Sequence, residues 1–200
     1  MMLRRIRIIL WVVVGLAAIT GIILALRPRP DALPVAAEQS LPDIGGPFTL
    51  TGADGKPFST RQLAGRPYVV FFGFTHCPDV CPNSLARLAR LRRTIGKGEN
   101  AFAILFVSVD PERDTPAEIG SYANMFNAPI IALTGSPETV GQVTKQFGVF
   151  AAKAPQPGAD YSIDHTATMF LMDRNGKFAA TISPEEGDAS AIAKLRQRTG

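Results

Sequence analysis

The run Tyr68-Val69-Val70-Phe71-Phe72-Gly73-Phe74 narrows the possible folds more than any other segment, because it offers no polar face. Such a strand needs cover on both sides, as at the centre of a sheet sandwiched between helices. Phe102 to Val109 is a second run of the same kind. Helix signals alternate with the strands. Pro82 to Arg93 carries Leu85, Leu88 and Leu91 at burial spacing, with four arginines expected outward. Thr115-Pro116-Ala117-Glu118 has an N-cap threonine, a proline at the first position and a glutamate closing the box. Ser136-Pro137 opens another helix that ends near Phe147 at Gly148, and a last one covers Asp188 to Arg198. Ile130 to Leu133 reads as a short strand. Thr166 to Met172 and Lys177 to Ile182 form a hairpin across the Asp173–Gly176 turn. Near the start, Phe48 to Leu50 and Lys56 to Phe58 make a small hairpin around Asp54-Gly55, and Ser59-x-x-Gln62 has capping-box spacing.

This order predicts an α/β domain with a mainly parallel central sheet, flanking helices and antiparallel strands from the terminal hairpin. A thioredoxin-like fold fits it, and periodicity alone also admits other α/β sandwiches.

The 200 residues allow one ordinary domain and an appendage. Ile8 to Leu26 holds no charge, and its nineteen residues span roughly 28 Å as a helix, close to a bilayer core of about 30 Å. The expected organisation is a basic cytoplasmic stub over 1–7, a transmembrane anchor over 8–26, a Pro/Ala-rich linker over 27–42 and a domain over 43–200. A cleaved signal peptide competes, since Val35-Ala36-Ala37 has suitably small residues, but its apolar region normally runs only about 7–15 residues. Arg4, Arg5 and Arg7 favour a cytoplasmic N-terminus, a preference that Arg27 and Arg29 weaken. The net charge of +4 arises in this segment: five of the 21 basic residues and none of the 17 acidic ones precede position 31. No basic face suited to nucleic acid is implied for the rest.

Only two cysteines occur, Cys77 and Cys81, too few for a disulfide scaffold. They sit where the first buried strand gives way to a helix, within Thr75-His76-Cys77-Pro78-Asp79-Val80-Cys81-Pro82. Backbone N–H groups and the helix dipole there favour thiolate, the form that binds metal or attacks a disulfide. Pro82 is expected to push Cys81 out of helical dihedrals, allowing two arrangements: a closed Cys77–Cys81 disulfide and an open, metal-gripping dithiol. His165, just before an apolar strand, and His76 are the candidate third ligands. A lone histidine is more often structural, and the adjacency of His76 to Cys77 makes chelation with both thiols awkward, so His165 is preferred. Two thiolates and an imidazole suit Cu(I) and tolerate Cu(II); zinc accepts the same set. Asp110, ending a strand in Val109-Asp110-Pro111-Glu112-Arg113-Asp114-Thr115-Pro116, faces either the site or a partner, or simply braces a turn.

Taken together, Gly73 to Pro82 (GFTHCPDVCP), Phe106 to Pro116 (FVSVDPERDTP), Leu133-Thr134-Gly135 and Asp164-His165 resemble the SCO/SenC family over roughly residues 43–182. The resemblance implies a thioredoxin fold tethered to the bacterial cytoplasmic membrane, N-terminus inside and domain periplasmic. It implies copper held by Cys77, Cys81 and His165, for assembly of the binuclear copper site of cytochrome c oxidase subunit II, directly or through another copper chaperone. Ordinary thioredoxins use Cys-x-x-Cys facing a cis-proline. Here three residues separate the cysteines and His165 stands in a region without proline, which favours a metal site. A thiol–disulfide oxidoreductase acting on the oxidase cysteines or a partner chaperone is the alternative, and a thiol peroxidase a distant third.

Overall fold

Both apolar runs become inner strands of a seven-stranded sheet. In chain order the elements are β1 (Thr49–Gly52), β2 (Pro57–Ser59), β3 (Tyr68–Gly73), α1 (Val80–Ile95), β4 (Ala103–Ser108), α2 (Pro116–Asn124) and β5 (Ile130–Thr134). There follow α3 (Pro137–Gln146), β6 (Ala151–Ala154), β7 (Ser162–His165), β8 (Met169–Met172), β9 (Phe178–Ile182) and α4 (Asp188–Thr199). This computed structural model describes residues 44–155 and 160–199, together with Arg4, Trp11, Gly15, Leu16 and Thr20. By internal contacts the chain divides into Met1–Leu41 and Pro42–Gly200. The expected stub, anchor and linker lie outside the described residues apart from those five positions. Among the described residues no helix is long and apolar enough to cross a membrane.

The sheet order is β2-β1-β5-β4-β3-β8-β9. β3, β4 and β5 run parallel, while β8 joins β3 and β1 joins β5 antiparallel. Every residue of β3 and β4 is buried, at about 1.5–3 kcal/mol for each large apolar side chain. Phe147, at the end of α3, brings its ring 5.2 Å from Phe72 and 5.4 Å from Phe170. This mixed sheet flanked by helices is the thioredoxin-like fold.

Four local expectations need correction. α1 begins at Val80, so Cys81 is helical and Pro82 does not expel it; a proline in the first turn lacks only an N–H that would have had no partner there. Arg92 is buried rather than outward, its guanidinium donating to the Pro129 carbonyl at 3.0 Å. At Ser59 the side chain accepts from Arg61 N and caps a short 3-10 turn (Thr60–Leu63), not an α-helical box. Finally, the strand expected from Thr166 begins only at Met169, and His165 closes β7 in a separate two-stranded sheet with β6. That ribbon is short and half exposed, so it lacks the apolar run that revealed the inner strands. The Thr115–Glu118 capping box forms as expected.

Candidate metal and thiol centre

Gly73 ends β3, and the chain turns through Thr75-His76 into α1. The turn is tied down from below by Asp114, fully buried after β4. Its carboxylate accepts from Thr75 N at 3.0 Å, from Thr75 Oγ1 at 2.6 Å and from Ser108 Oγ at 2.5 Å. Cys77 is half-buried and Cys81 wholly buried, both as free thiols. Gly73 is needed for a steric reason: a Cβ there would lie 2.8 Å from Cys81 Sγ and 3.1 Å from the Phe71 and Phe106 rings.

His165 arrives from the other side on β7. Its Nε2 lies 3.4 Å from Cys81 Sγ, and its Nδ1 lies 3.1 Å from the Thr166 carbonyl oxygen. A carbonyl only accepts, so Nδ1 carries a proton, and Nε2 is the nitrogen that faces the sulfurs, donating to them in the imidazolium and offering a metal its lone pair in the neutral ring. Phe71 and Phe74 meet the imidazole edge-on at centroid distances of 6.3 and 5.8 Å, fixing its plane. The Cys77, Cys81 and His165 donor atoms thus all lie within 4.8 Å of one another. With ligand bonds of about 2.0–2.3 Å, that separation suits one shared ion after slight contraction. The other candidate, His76, is not part of that group; its donor atom lies instead within 4.8 Å of Asp110 and Asp114 oxygens. Its Nδ1 lies 3.1 Å from Thr75 Oγ1 and 3.8 Å from Asp114.

The two thiols differ electrostatically. Cys77 Sγ accepts from the Cys81 thiol, from His165 and from the backbone N–H groups of Cys81 and Asp79; against partial desolvation these lower its pKa to about 4. Cys81 is pushed far upward, first by donating its S–H to Cys77 and then by burial. Across the neutral range the reduced pair therefore holds one thiolate and one thiol.

Asp110 is a brace rather than a ligand of this trio. It is 2% exposed and accepts from Arg113 Nε at 2.5 Å and from the Tyr161 hydroxyl at 2.7 Å. Arg113 also donates to the Tyr161 carbonyl at 3.1 Å and places its Cζ 3.7 Å over the Tyr161 ring. Since Tyr161 directly precedes β7, this cluster fastens the histidine ribbon to the loop after β4. Sequence reasoning missed Gly73, Thr75, Asp114 and Tyr161 as supports. The one available signal was a pair of carboxylates, Asp110 and Asp114, in a loop leaving a fully buried strand.

Fold and donors together define a thioredoxin-like protein with a dithiol–imidazole centre at one edge of its sheet. The SCO1/SenC family model matches residues 36–200, and the chain belongs to that family. It is 40% identical over 136 residues to the mitochondrial SCO1 homolog 1 of Arabidopsis thaliana, covering 68% of this chain and 41% of that one. To the SCO2-like protein of Rickettsia prowazekii it is 32% identical over 182 residues, 88% of this chain and 87% of the relative. The chain thus spans less than half of the plant protein and most of the rickettsial one. Among solved structures, copper-bound ScoI of Bradyrhizobium japonicum is similar, with 41% identity and a TM-score of 0.70 over 78% of this chain and 99% of its own. BsSco, a member of the Sco family of cytochrome c oxidase assembly proteins in which a disulfide switch was identified, shares 25% identity. Its TM-score is 0.62, over 78% of this chain and 93% of its own.

Proposed function

We propose that this protein is a membrane-tethered copper chaperone. Copper, as Cu(I) or Cu(II), is gripped by Cys77, Cys81 and His165. It is passed to the binuclear site of cytochrome c oxidase subunit II or to another copper chaperone. The observation that carries this reading is the convergence of two sulfurs and an imidazole lone pair within 4.8 Å, a donor set suited to Cu(I) and tolerable for Cu(II). The similarity to copper-bound ScoI and to an oxidase assembly protein supports it. The uncharged stretch over 8–26 supplies the tether, with the N-terminus cytoplasmic and the domain periplasmic.

Copper counting on the reduced full chain tests the proposal. One copper per chain is expected, with competition against zinc reporting selectivity. His165→Ala should weaken copper binding and abolish support of oxidase assembly, while changing the Cys77–Cys81 disulfide potential little. Oxidase assembly that survives His165→Ala would rule out delivery through this site.

One observation favours a second reading, a thiol–disulfide oxidoreductase. The Cys77 thiolate sits beside a protonated Cys81, the pairing needed for exchange. Cys77 would attack a partner disulfide and release one partner thiolate. Cys81, losing its proton, would then attack Cys77 and release the second. A Cys77–Cys81 disulfide and a reduced partner dithiol result, two electrons having passed to the partner. This activity would survive His165→Ala, which separates the two readings.

A further inference from the structure

The copper centre leaves the chain's other histidine without a role. His76 lines an open cavity of about 430 Å³ between the Thr75-His76 turn and one face of α2. Glu118, Ser121, Tyr122 and Met125 form that face, at the i, i+3, i+4, i+7 spacing that puts them on one side of a helix. Of the three methionines beyond position 42, Met169 and Met172 are wholly buried, whereas Met125 is 68% exposed. Burial therefore accounts for two thioethers and not for the third. That third one shares its cavity with the imidazole that the centre does not use.

Both groups are available as donors. The single hydroxyl proton of Thr75 goes to Asp114 at 2.6 Å, so Thr75 Oγ1 accepts from His76 Nδ1 at 3.1 Å. Nε2 is then the nitrogen that the neutral ring offers a metal. The carboxylates of Asp110 and Asp114, within 4.8 Å of a His76 nitrogen, already hold Thr75, Ser108, Arg113 and Tyr161. Met125 has three rotatable bonds with which its sulfur can sweep the cavity. Bonds from the backbone and side chain of Thr115 keep the Glu118 carboxyl below its usual range, so it adds a negative charge. Among the described residues no Lys or Arg lines the cavity. The wall thus favours a cation, and a thioether beside an imidazole selects a soft one, Cu(I).

The cavity also borders the thiols. His76 directly precedes Cys77. The phenol of Tyr122 is pushed upward first by burial and then by the charges of Cys81, Cys77 and Asp114, so this wall lies within electrostatic reach of the dithiol.

We propose that His76 Nε2 and Met125 Sδ form a second, exposed Cu(I) site, from which the ion passes to Cys77. The cargo rests on the copper reading above; the donor pair does not. The passage is a ligand exchange in which no electron moves. Bonds from Cu(I) to Nε2 and Sδ break as bonds to Cys77, Cys81 and His165 form, and the Cys81 proton leaves to solvent. Two exposed donors without a thiolate hold Cu(I) more weakly than the trio, which sets the direction.

The test uses the full chain in a neutral maltoside detergent without oxygen, with Cu(I) supplied as its acetonitrile complex. In Cys77→Ser/Cys81→Ser, which lacks the thiolates of the trio, an isotope-labelled Met125 methyl and the His76 ring resonances should shift together and saturate at one equivalent. Adding Met125→Leu should weaken that binding at least tenfold. So should His76→Asn, which keeps a donor for Thr75 Oγ1. In the parent with both cysteines, either substitution should slow the rise of thiolate-to-copper absorption several-fold in stopped flow, at unchanged final stoichiometry. No saturable shift at Met125, or one undiminished by His76→Asn, would overturn the site. An undelayed rise in both variants would overturn its part in loading. A parent that takes up no copper would overturn the copper reading together with the passage to Cys77, and the serine-variant titration would still decide the His76–Met125 site.

Discussion

The two arms of the site are built from opposite materials. The cysteine arm grows out of β3, where every residue is buried, and enters a helix whose Leu85, Leu88 and Leu91 pack into the same core. The histidine arm is a two-stranded ribbon that, among the described residues, shares no ladder with the main sheet. It is fastened by the polar cluster of Asp110, Arg113 and Tyr161 and, on the apolar side, by Ile163, alone among its strand residues in being buried in the core. Apolar burial on the scale of the β3–β4 core is lost only when the domain unfolds, whereas a few hydrogen bonds break in a local opening at much lower cost. Local opening of the imidazole arm is therefore expected to cost less than opening of the thiol arm. That asymmetry suits a carrier that must let go of its cargo.

The sharpest way to break this comparison is to ask which arm makes the thiolate. In the reduced, metal-free protein, Cys77 alkylation should follow a titration centred near pH 4. Cys81→Ala removes the largest stabilising donor and should move that midpoint up by several pH units, toward the ordinary thiol value of about 8.5. His165→Ala should move it up by less, since its hydrogen bond is a lesser cause. Equal shifts in both variants would mean that the arms contribute alike. The same depression has a sign for folding. A group whose acid is strengthened in the native state stabilises it fully above the unfolded pKa of about 8.5, and that contribution fades as pH falls toward the native value. Denaturant midpoints of the reduced protein, compared with Cys77→Ala, should therefore converge as pH drops from about 9 toward 4.

Next in size is the brace. Asp110→Ala leaves Arg113 in a largely buried site without its carboxylate and strips an acceptor from Tyr161, a loss of about 3–5 kcal/mol for a broken buried pair. Urea unfolding should register it. Hydrogen exchange should place the excess opening in β6 and β7, with β3 and β4 protected relative to global stability. Uniform loss across all strands would mean that the ribbon is part of the core's cooperative unit.

This contrast also explains what could be read in the sequence. The β3 and β4 runs, the helix alternation and the two thiols at a strand-to-helix junction were legible because apolar burial leaves a continuous composition signal. The ribbon was not, since Ala151–Ala154 and Ser162–His165 are short, half exposed and mixed in character. Resemblance to SCO/SenC, rather than periodicity, pointed to His165. Nothing local could reveal that Tyr161 would reach Asp110 across 51 positions. The helical state of Cys81 was misread because the rule for residues before proline weakens in a first turn, where the helix lacks few hydrogen bonds.

A smaller effect tests the cysteine arm's packing. Gly73→Ala forces a methyl to within 2.8 Å of Cys81 Sγ, and overpacking of this kind costs about 1–3 kcal/mol. The sulfur has to give way, because the other neighbours are rings of the core. Loss of copper affinity should accompany the loss of stability, and a stabilising metal should raise the midpoint of this variant less than that of the parent. A variant destabilised but with unaltered copper affinity would mean that the backbone, not the sulfur, absorbs the clash.

The smallest change, Tyr161→Phe, isolates the latch. It deletes one hydroxyl from Asp110 while keeping the ring beneath Arg113, so the cation–π contact and the Arg113–Asp110 pair survive. The cost should be about 1 kcal/mol, near the limit of a denaturation curve but visible in kinetics. If the ribbon is the releasable arm, weakening its latch should speed copper loss to a chelator several-fold while leaving Cys77 alkylation unchanged. The two readouts belong to different arms, so a rise in chelator-driven release without a shift in thiol reactivity is the signature. Coupled changes in both would mean that the dithiol and the imidazole move together.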